Sequence, residues 1–257
     1  MGLYVGIPGS DYATSPAKQG TQTFPSDDPL PFLALPGLVN WWRGDDAVQL
    51  SSVTSVKDRI AGVSLASINS AQSPSLSTVG GKQGLLFAGA QTMSAAASVV
   101  KNSAYTWVIV QKAAASLTTG AYILTAGTAP TANWYQWADG HTSARTASGT
   151  PGQPASDAGK VIANATQIIG LSFDSTGVKY GFSFDGVFNK SVPITSGQAG
   201  AESVATSFNF GASNLLGNPF SGTIFDIFQF DRDYHAAASA AYWAWLVSKL
   251  KIRYGIS

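Results

Sequence analysis

The residue stock for chemistry is small. The chain holds one glutamate, Glu202, two histidines, His141 and His235, and no cysteine. Retaining glycoside hydrolysis uses two carboxyls about 5–5.5 Å apart, one of them held protonated. Glu202 stands in Gly200-Ala201-Glu202-Ser203, which reads as a loop, and no strand-like run carries two aspartates at even spacing. The cysteine count excludes disulfides, thiolate metal sites and cysteine nucleophiles. No Gly-x-Ser-x-Gly elbow, phosphate-binding Gly-x-x-x-x-Gly-Lys-Ser/Thr loop or His-Glu-x-x-His pair occurs. His235 reads as a capping or packing residue before a helix, and nothing in the sequence places partners for His141. No catalytic residue, metal or cofactor is therefore expected.

The densest constellation is aromatic. Asn133-Trp134-Tyr135-Gln136-Trp137-Ala138-Asp139-Gly140-His141, with Arg145 beyond it, gathers rings and hydrogen-bonding groups into one strand and its exit. Sugar rings stack flat C–H faces on Trp or Tyr, while Asp, His and Arg meet hydroxyls. Trp134, Tyr135, Trp137, Asp139, His141 and Arg145 form the candidate ligand-binding set. The same rings suit a sandwich core. Strand alternation puts residues 135 and 137 on one face and Trp134 on the other.

The elements that must hold these residues are mostly strands. Runs rich in Val, Ile, Phe, Tyr and Trp recur at 38–43, 63–68, 84–88, 105–112, 122–126, 134–138, 167–173, 178–184, 207–211 and 223–230, divided by Gly, Asp, Asn, Ser and Pro. Tyr105–Val110 is apolar on both faces and reads as a strand buried on both sides. Asp174-Ser175-Thr176-Gly177 links two strands. Asp185-Gly186 is a strong hairpin signal. Residues 142–157, rich in Ser, Thr, Gly and Pro, read as a long exposed loop. Ala236, Ala240, Trp243, Val247, Leu250 and Tyr254 fall on one helical stripe, with Asp231 or Asp233 as the cap and Lys249, Lys251 and Arg253 near the negative end of the dipole. Trp243 and Trp245 point roughly 200° apart, so one packs on the sandwich and the other meets a neighbour or water. The pattern predicts an all-β, two-sheet antiparallel jelly-roll sandwich with a C-terminal helix.

Residues 1–37 are different. Six of the chain's twelve prolines fall there, and proline removes a ladder donor. This stretch reads as an extended assembly arm, with Phe24, Leu30, Phe32, Leu33 and Leu35 as its anchors. Residues 38–257 form the sandwich. Net charge is +1 and charged residues make up 11%, which leaves no field to steer a polyanion, so nucleic acid is not an expected partner. No apolar run approaches the roughly 18 residues of a membrane span. The first residues lack the basic and apolar regions of a secretory signal, and Gly6 breaks a myristoylation pattern at Gly2.

Several segments resemble the laminin-G-like jelly roll of the concanavalin A-like lectin/glucanase superfamily. Gly222-Thr223-Ile224-Phe225-Asp226-Ile227-Phe228-Gln229-Phe230-Asp231-Arg232 is similar to its closing strand. Leu246, Lys249 and Tyr254-Gly255-Ile256 match the short helix that follows. Leu38-Val39-Asn40-Trp41-Trp42-Arg43-Gly44-Asp45 resembles its opening strand, residues 56–62 its Asp-x-Ser-Gly turn, and Tyr180–Gly186 a strand that ends Asn-Gly. The resemblance implies structural roles for Asp226 and Arg232, paired with each other. The superfamily's glucanases set their acids as Glu-x-Asp-x-x-Glu or Glu-x-Asp-x-Glu, which a chain with Glu202 alone cannot supply. With its Pro-rich arm and no cysteine, the chain resembles a bacteriophage virion protein: a capsid decoration or tail-fibre component whose lectin-like domain binds host-surface polysaccharide. Expected partners are other capsid or tail proteins and copies of itself in a trimer. The alternatives are a capsid cement without a glycan ligand and a bacterial surface adhesin.

Overall fold

The computed structural model describes residues 30–50, 53–96, 104–126, 132–145, 154–174, 176, 178–194, 208–212 and 218–257. A one-turn helix α1 (Leu30–Leu33) precedes strands β1 (Leu38–Arg43), β2 (Val48–Leu50), β3 (Val53–Lys57), β4 (Ser64–Ser67), β5 (Ser75–Val79), β6 (Lys82–Ala88), β7 (Met93–Ala95) and β8 (Tyr105–Ala113). Then come β9 (Ala121–Ala126), β10 (Ala132–Gln136), β11 (Thr142–Arg145), β12 (Thr166–Asp174), β13 (Lys179–Phe184), β14 (Val187–Pro193), β15 (Phe208–Phe210), β16 (Ser221–Phe230) and helix α2 (Ala240–Tyr254). One antiparallel sheet runs β14-β13-β12-β8-β16-β6-β5, with β1 sharing the far edge of β16 with β6. The other runs β11-β10-β9-β15-β7-β4-β3-β2. The fold is the expected two-sheet sandwich with a C-terminal helix.

Two apolar layers follow from strand alternation. Tyr105, Trp107 and Ile109 of β8, with Ile169, Leu171 and Phe173 of β12, fill the space between the sheets. Val108 and Val110, one residue out of phase, face the other way and pack with Ile168, Phe225 and Phe228 under α2. Each fully buried side chain of this size contributes about 1.5–3 kcal/mol of transfer free energy. Asp185 and Gly186 have φ of 49° and 88°, which turns β13 into β14 as the Asp-Gly pair predicted.

Helix α2 lays Trp243, Leu246, Val247 and Leu250 on this outer layer, and Gly255 ends it in the left-handed conformation. The predicted stripe holds from Trp243 onward. It fails at its start. Ala236 precedes the helix and Ala240 is exposed, because a 3-10 turn at Ala237–Ser239 intervenes and Ser239 gives no side-chain cap. Asp231 and Asp233 therefore do not cap α2. Trp243 is buried on the sheet, while Trp245 meets Phe32 edge-on at 5.5 Å.

A buried carboxylate fastens α2 to the closing strand. Asp226 of β16 is fully buried. It accepts from Trp41 Nε1 at 3.1 Å and from the Tyr254 hydroxyl, and Arg253 Nε lies 3.7 Å away. Arg253 also reaches Asp45, which accepts from Arg43 and from the Gln83 amide. The expected pairing of Asp226 with Arg232 does not form. Asp226 points to the outer layer under α2, and Arg232 instead neighbours Asp231 at 3.6 Å.

The arm is corrected in its described part. Residues 30–33 are helical rather than extended, and Phe32 and Leu35 are buried in the chain's own outer layer beside Trp41, Phe228 and Tyr234. Burying these rings against α2 removes apolar surface from water without any neighbouring subunit. Leu33 is 41% exposed. Leu30 opens the helix, its side chain lying outside the described residues, as does Phe24. Residues 142–145, expected in a loop, form β11, because Ser143 and Ala144 pair with β10.

Arg253 keeps Asp45 when Asp226 is removed, so the cost falls on the buried Trp41 Nε1 and on the Tyr254 hydroxyl, which lose their acceptor at about 1–3 kcal/mol each. Asp226→Ala is expected to lower unfolding free energy by about 2–5 kcal/mol in urea denaturation, and Asp231→Ala, at the surface, by under about 0.5 kcal/mol.

Candidate functional site

The outward face of β12 and β13 carries a small-residue checkerboard. Gly170 pairs with Ser183, and Ser172 pairs with Gly181. The two Gly-x-Ser tripeptides, Gly170-Leu171-Ser172 and Gly181-Phe182-Ser183, run antiparallel, so each glycine faces a serine. The missing Cβ atoms leave a recess, and the His235 imidazole fills it. A Cβ at Gly181 would stand 2.7 Å from His235 Nδ1, and one at Gly170 3.5 Å from Nε2. Trp243 closes one side of the ring edge-on at 5.1 Å, and Phe188 of β14 another at 5.2 Å. His235 is thus the packing residue the sequence suggested, held from above by the helix.

The segment that delivers it is pinned by its neighbour. Tyr234 is fully buried, its amide donates to Thr106 Oγ1 at 2.9 Å and its hydroxyl to the Pro36 carbonyl at 2.9 Å. Asp233 accepts from the His235 amide at 2.8 Å. Ser172 Oγ lies 2.7 Å from His235 Nδ1 and Ser183 Oγ 2.8 Å from Nε2, so a neutral ring donates to one hydroxyl and accepts from the other. Burial lowers the His235 pKa to about 4, so the ring is neutral at pH 7. Burial also raises the Asp233 carboxyl above its ordinary range against the hydrogen bonds that favour its charge. The Asp233 carboxylate accepts from the His235 amide rather than the imidazole, and Ser183 has no exposed surface, so these groups do not make a nucleophilic set.

Above this floor opens a cavity of about 570 Å³, within the roughly 300–1,000 Å³ common for small-molecule sites. Its walls are Asp174, Thr176 and Lys179 at the β12–β13 end, Phe188 and Ser191 of β14, and Arg232, Asp233 and Ser239 before α2. Lys179 Nζ is 3.5 Å from Asp174 Oδ2. The Phe188 ring is 48% exposed. The cavity therefore offers a half-exposed aromatic residue with donors and acceptors around it. Among the described residues no three His, Asp or Glu come together as metal ligands.

The sequence-derived set is split by the sheet. Trp134 points into the intersheet core at 1% exposure, and Tyr135, on the outer face, is buried against Tyr122 at 4.7 Å and accepts from Asn133. Neither presents a ring to solvent, which corrects the reading of both as a binding platform: the period of two sends Trp134 inward, and Tyr122 covers Tyr135. Trp137, Asp139 and His141 stay together at the turn between β10 and β11. Trp137 is half-buried, donates to Ser143 Oγ at 2.8 Å and stacks on His141 at 5.2 Å. His141 Nδ1 lies 2.6 Å from Asp139, whose carboxyl is held below its ordinary range by the His141 amide. Arg145 pairs with Asn133 through the ladder, its side chain lying outside the described residues.

Solved structures share this architecture. Domain 4 of AbnA, a GH43 extracellular arabinanase from Geobacillus stearothermophilus solved with arabinotriose, matches with a TM-score of 0.60 at 16% identity, over 80% of this chain and 98% of that one. The botulinum neurotoxin type G receptor-binding domain matches at 0.53 and 12%, over 82% of this chain and 51% of that one. A Trypanosoma rangeli sialidase matches at 0.52 and 13%, over 84% of this chain and 33% of that one. These likenesses show a common β-sandwich fold. No protein-family model and no curated protein sequence matches the chain.

Two titrating groups, half-buried His235 and buried Asp226, act in opposite directions on stability. His235 binds its proton less tightly when folded, so its contribution is complete above pH 6.5 and is lost by about 3 kcal/mol as pH falls to about 4. Asp226, raised to about 6 by burial, binds its proton more tightly when folded, so its contribution falls as pH rises from about 4 to 6. In urea titrations across this window the native chain is expected to vary little from these groups. His235→Gln should then lose stability as pH rises, and Asp226→Asn as pH falls.

Proposed function

We propose that the chain is a carbohydrate-binding β-sandwich module that seats a sugar residue in the outer-sheet cavity. The observation that carries this reading is the half-exposed Phe188 ring facing hydroxyls and carboxylates across a cavity of about 570 Å³. A sugar presents the complement: an apolar C–H face for the ring, and hydroxyls that donate to Asp174 and Asp233 and accept from Lys179, Ser191 or Thr176. The shared fold with an arabinanase domain solved with arabinotriose supports the reading and makes arabino-oligosaccharides the first ligands to try. The floor is built of groups satisfied by one another, which suits a rigid receptor whose polar atoms are preset.

The cysteine-free, weakly charged composition supports a virion setting in which this module meets host-surface polysaccharide. Particles lacking the chain should then adsorb more slowly to cells, and normal adsorption would remove that setting while leaving sugar binding to be judged separately.

Calorimetry with arabino-oligosaccharides, followed by a glycan array, tests the site. Phe188→Ala is expected to weaken binding about tenfold, about 1.4 kcal/mol, with little change in melting temperature. Trp137→Ala should leave affinity unchanged. Loss of binding in Trp137→Ala alone would move the site to the β10–β11 turn.

A further inference from the structure

Resting on that reading, we infer that the cavity selects uncharged sugars and rejects those bearing a carboxylate. Four ionisable groups line it besides the neutral His235: Asp174, Lys179, Arg232 and Asp233. Both cations are already matched. Lys179 lies 3.5 Å from Asp174, and Arg232 lies 3.6 Å from Asp231. Arg232, itself a wall residue, has its Nε beside Asp231 and against Gly37. Asp233 is the wall residue that no cation neutralises at ion-pair distance. Its carboxylate accepts from a neutral donor, the His235 amide.

An incoming carboxylate therefore meets, in a half-enclosed space, a negative charge with no ion-pair partner of its own, which Lys179 offsets only from longer range and whose repulsion is screened less than at an open surface. Asp174 adds to it, since it already disfavours charge on Asp233. Hydroxyls meet the opposite situation, because a carboxylate is a strong acceptor for an O–H donor. The wall thus favours polyols and excludes uronic and sialic acids.

The experiment is a matched-pair affinity measurement with the full chain: an oligogalactan against an oligogalacturonate, lactose against sialyllactose, and arabinotriose as the neutral reference. Neutral members are expected to bind at least tenfold more tightly. In Asp233→Asn the ratio should fall towards unity, mainly through better binding of the acidic member. For the native chain, raising salt to 1 M should also narrow the ratio, which gives a readout if the variant folds poorly. Equal or tighter binding of the acidic members, or a ratio insensitive to both Asp233→Asn and salt, overturns the selectivity while sugar binding stands. Absence of binding to every member overturns the proposed function itself.

Discussion

The outer face of this sandwich depends on one buried carboxylate. Asp226 carries its charge with no water access, so it is stable only where Trp41, Tyr254 and Arg253 surround it. Those three come from the opening strand and from the last turn of α2, so the constraint joins the two ends of the described chain through the closing strand. With α2 fixed, Trp243 donates to the Gly186 carbonyl at 3.0 Å and stands edge-on to His235. The imidazole, in turn, is what fills the recess over Gly170 and Gly181. Without that ring Ser172 and Ser183 would lose the partner they share, and buried polar groups without partners are costly. The cavity therefore inherits its floor from helix docking about a strand's width away.

Much of the fold was legible because it rests on periodicity. Runs of β-branched and aromatic residues in 105–110, 167–173 and 223–230 read directly as strands, and the Asp185-Gly186 turn carries its own conformational signature. The stripe from Trp243 to Leu250 gave the helix face. The weakest strands were not legible. β2, β3, β5 and β7 are short and rich in Ser, Thr, Ala and Gln, and β11 was hidden in a Ser/Thr/Gly/Pro run. Such segments are strands because their neighbours supply the ladder, not because their residues prefer it.

The site was less legible for a different reason. Aromatic density drew attention to residues 133–141, but density does not say which way a ring points. Trp134 serves the core and Tyr135 is capped by Tyr122. What builds the cavity is a lack of side chain at Gly170 and Gly181, and a glycine reads first as a turn residue. The repeated Gly-x-Ser in adjacent strands was the available signal. It acquires meaning only with the antiparallel register that sets each glycine opposite a serine. Asp233 and His235 seemed to belong to the helix start, and the 3-10 turn that frees them has no strong sequence mark. Phe32 and Leu35 pack in the chain's own outer layer, which no spacing in the Pro-rich stretch marks.

The central claim is that ligand enters at the Phe188–Asp233 cavity over a neutral, half-buried His235. The most direct measurement is a two-dimensional NMR titration of the isotopically labelled chain with arabinotriose. Backbone shifts should concentrate at Ser172, Asp174, Thr176, Phe188, Ser191 and Asp233, with the His235 ring nitrogens remaining those of an uncharged imidazole at pH 7. Shifts confined to Trp137, Asp139 and His141, or a His235 ring that titrates near pH 6.5 in the free chain, would contradict it.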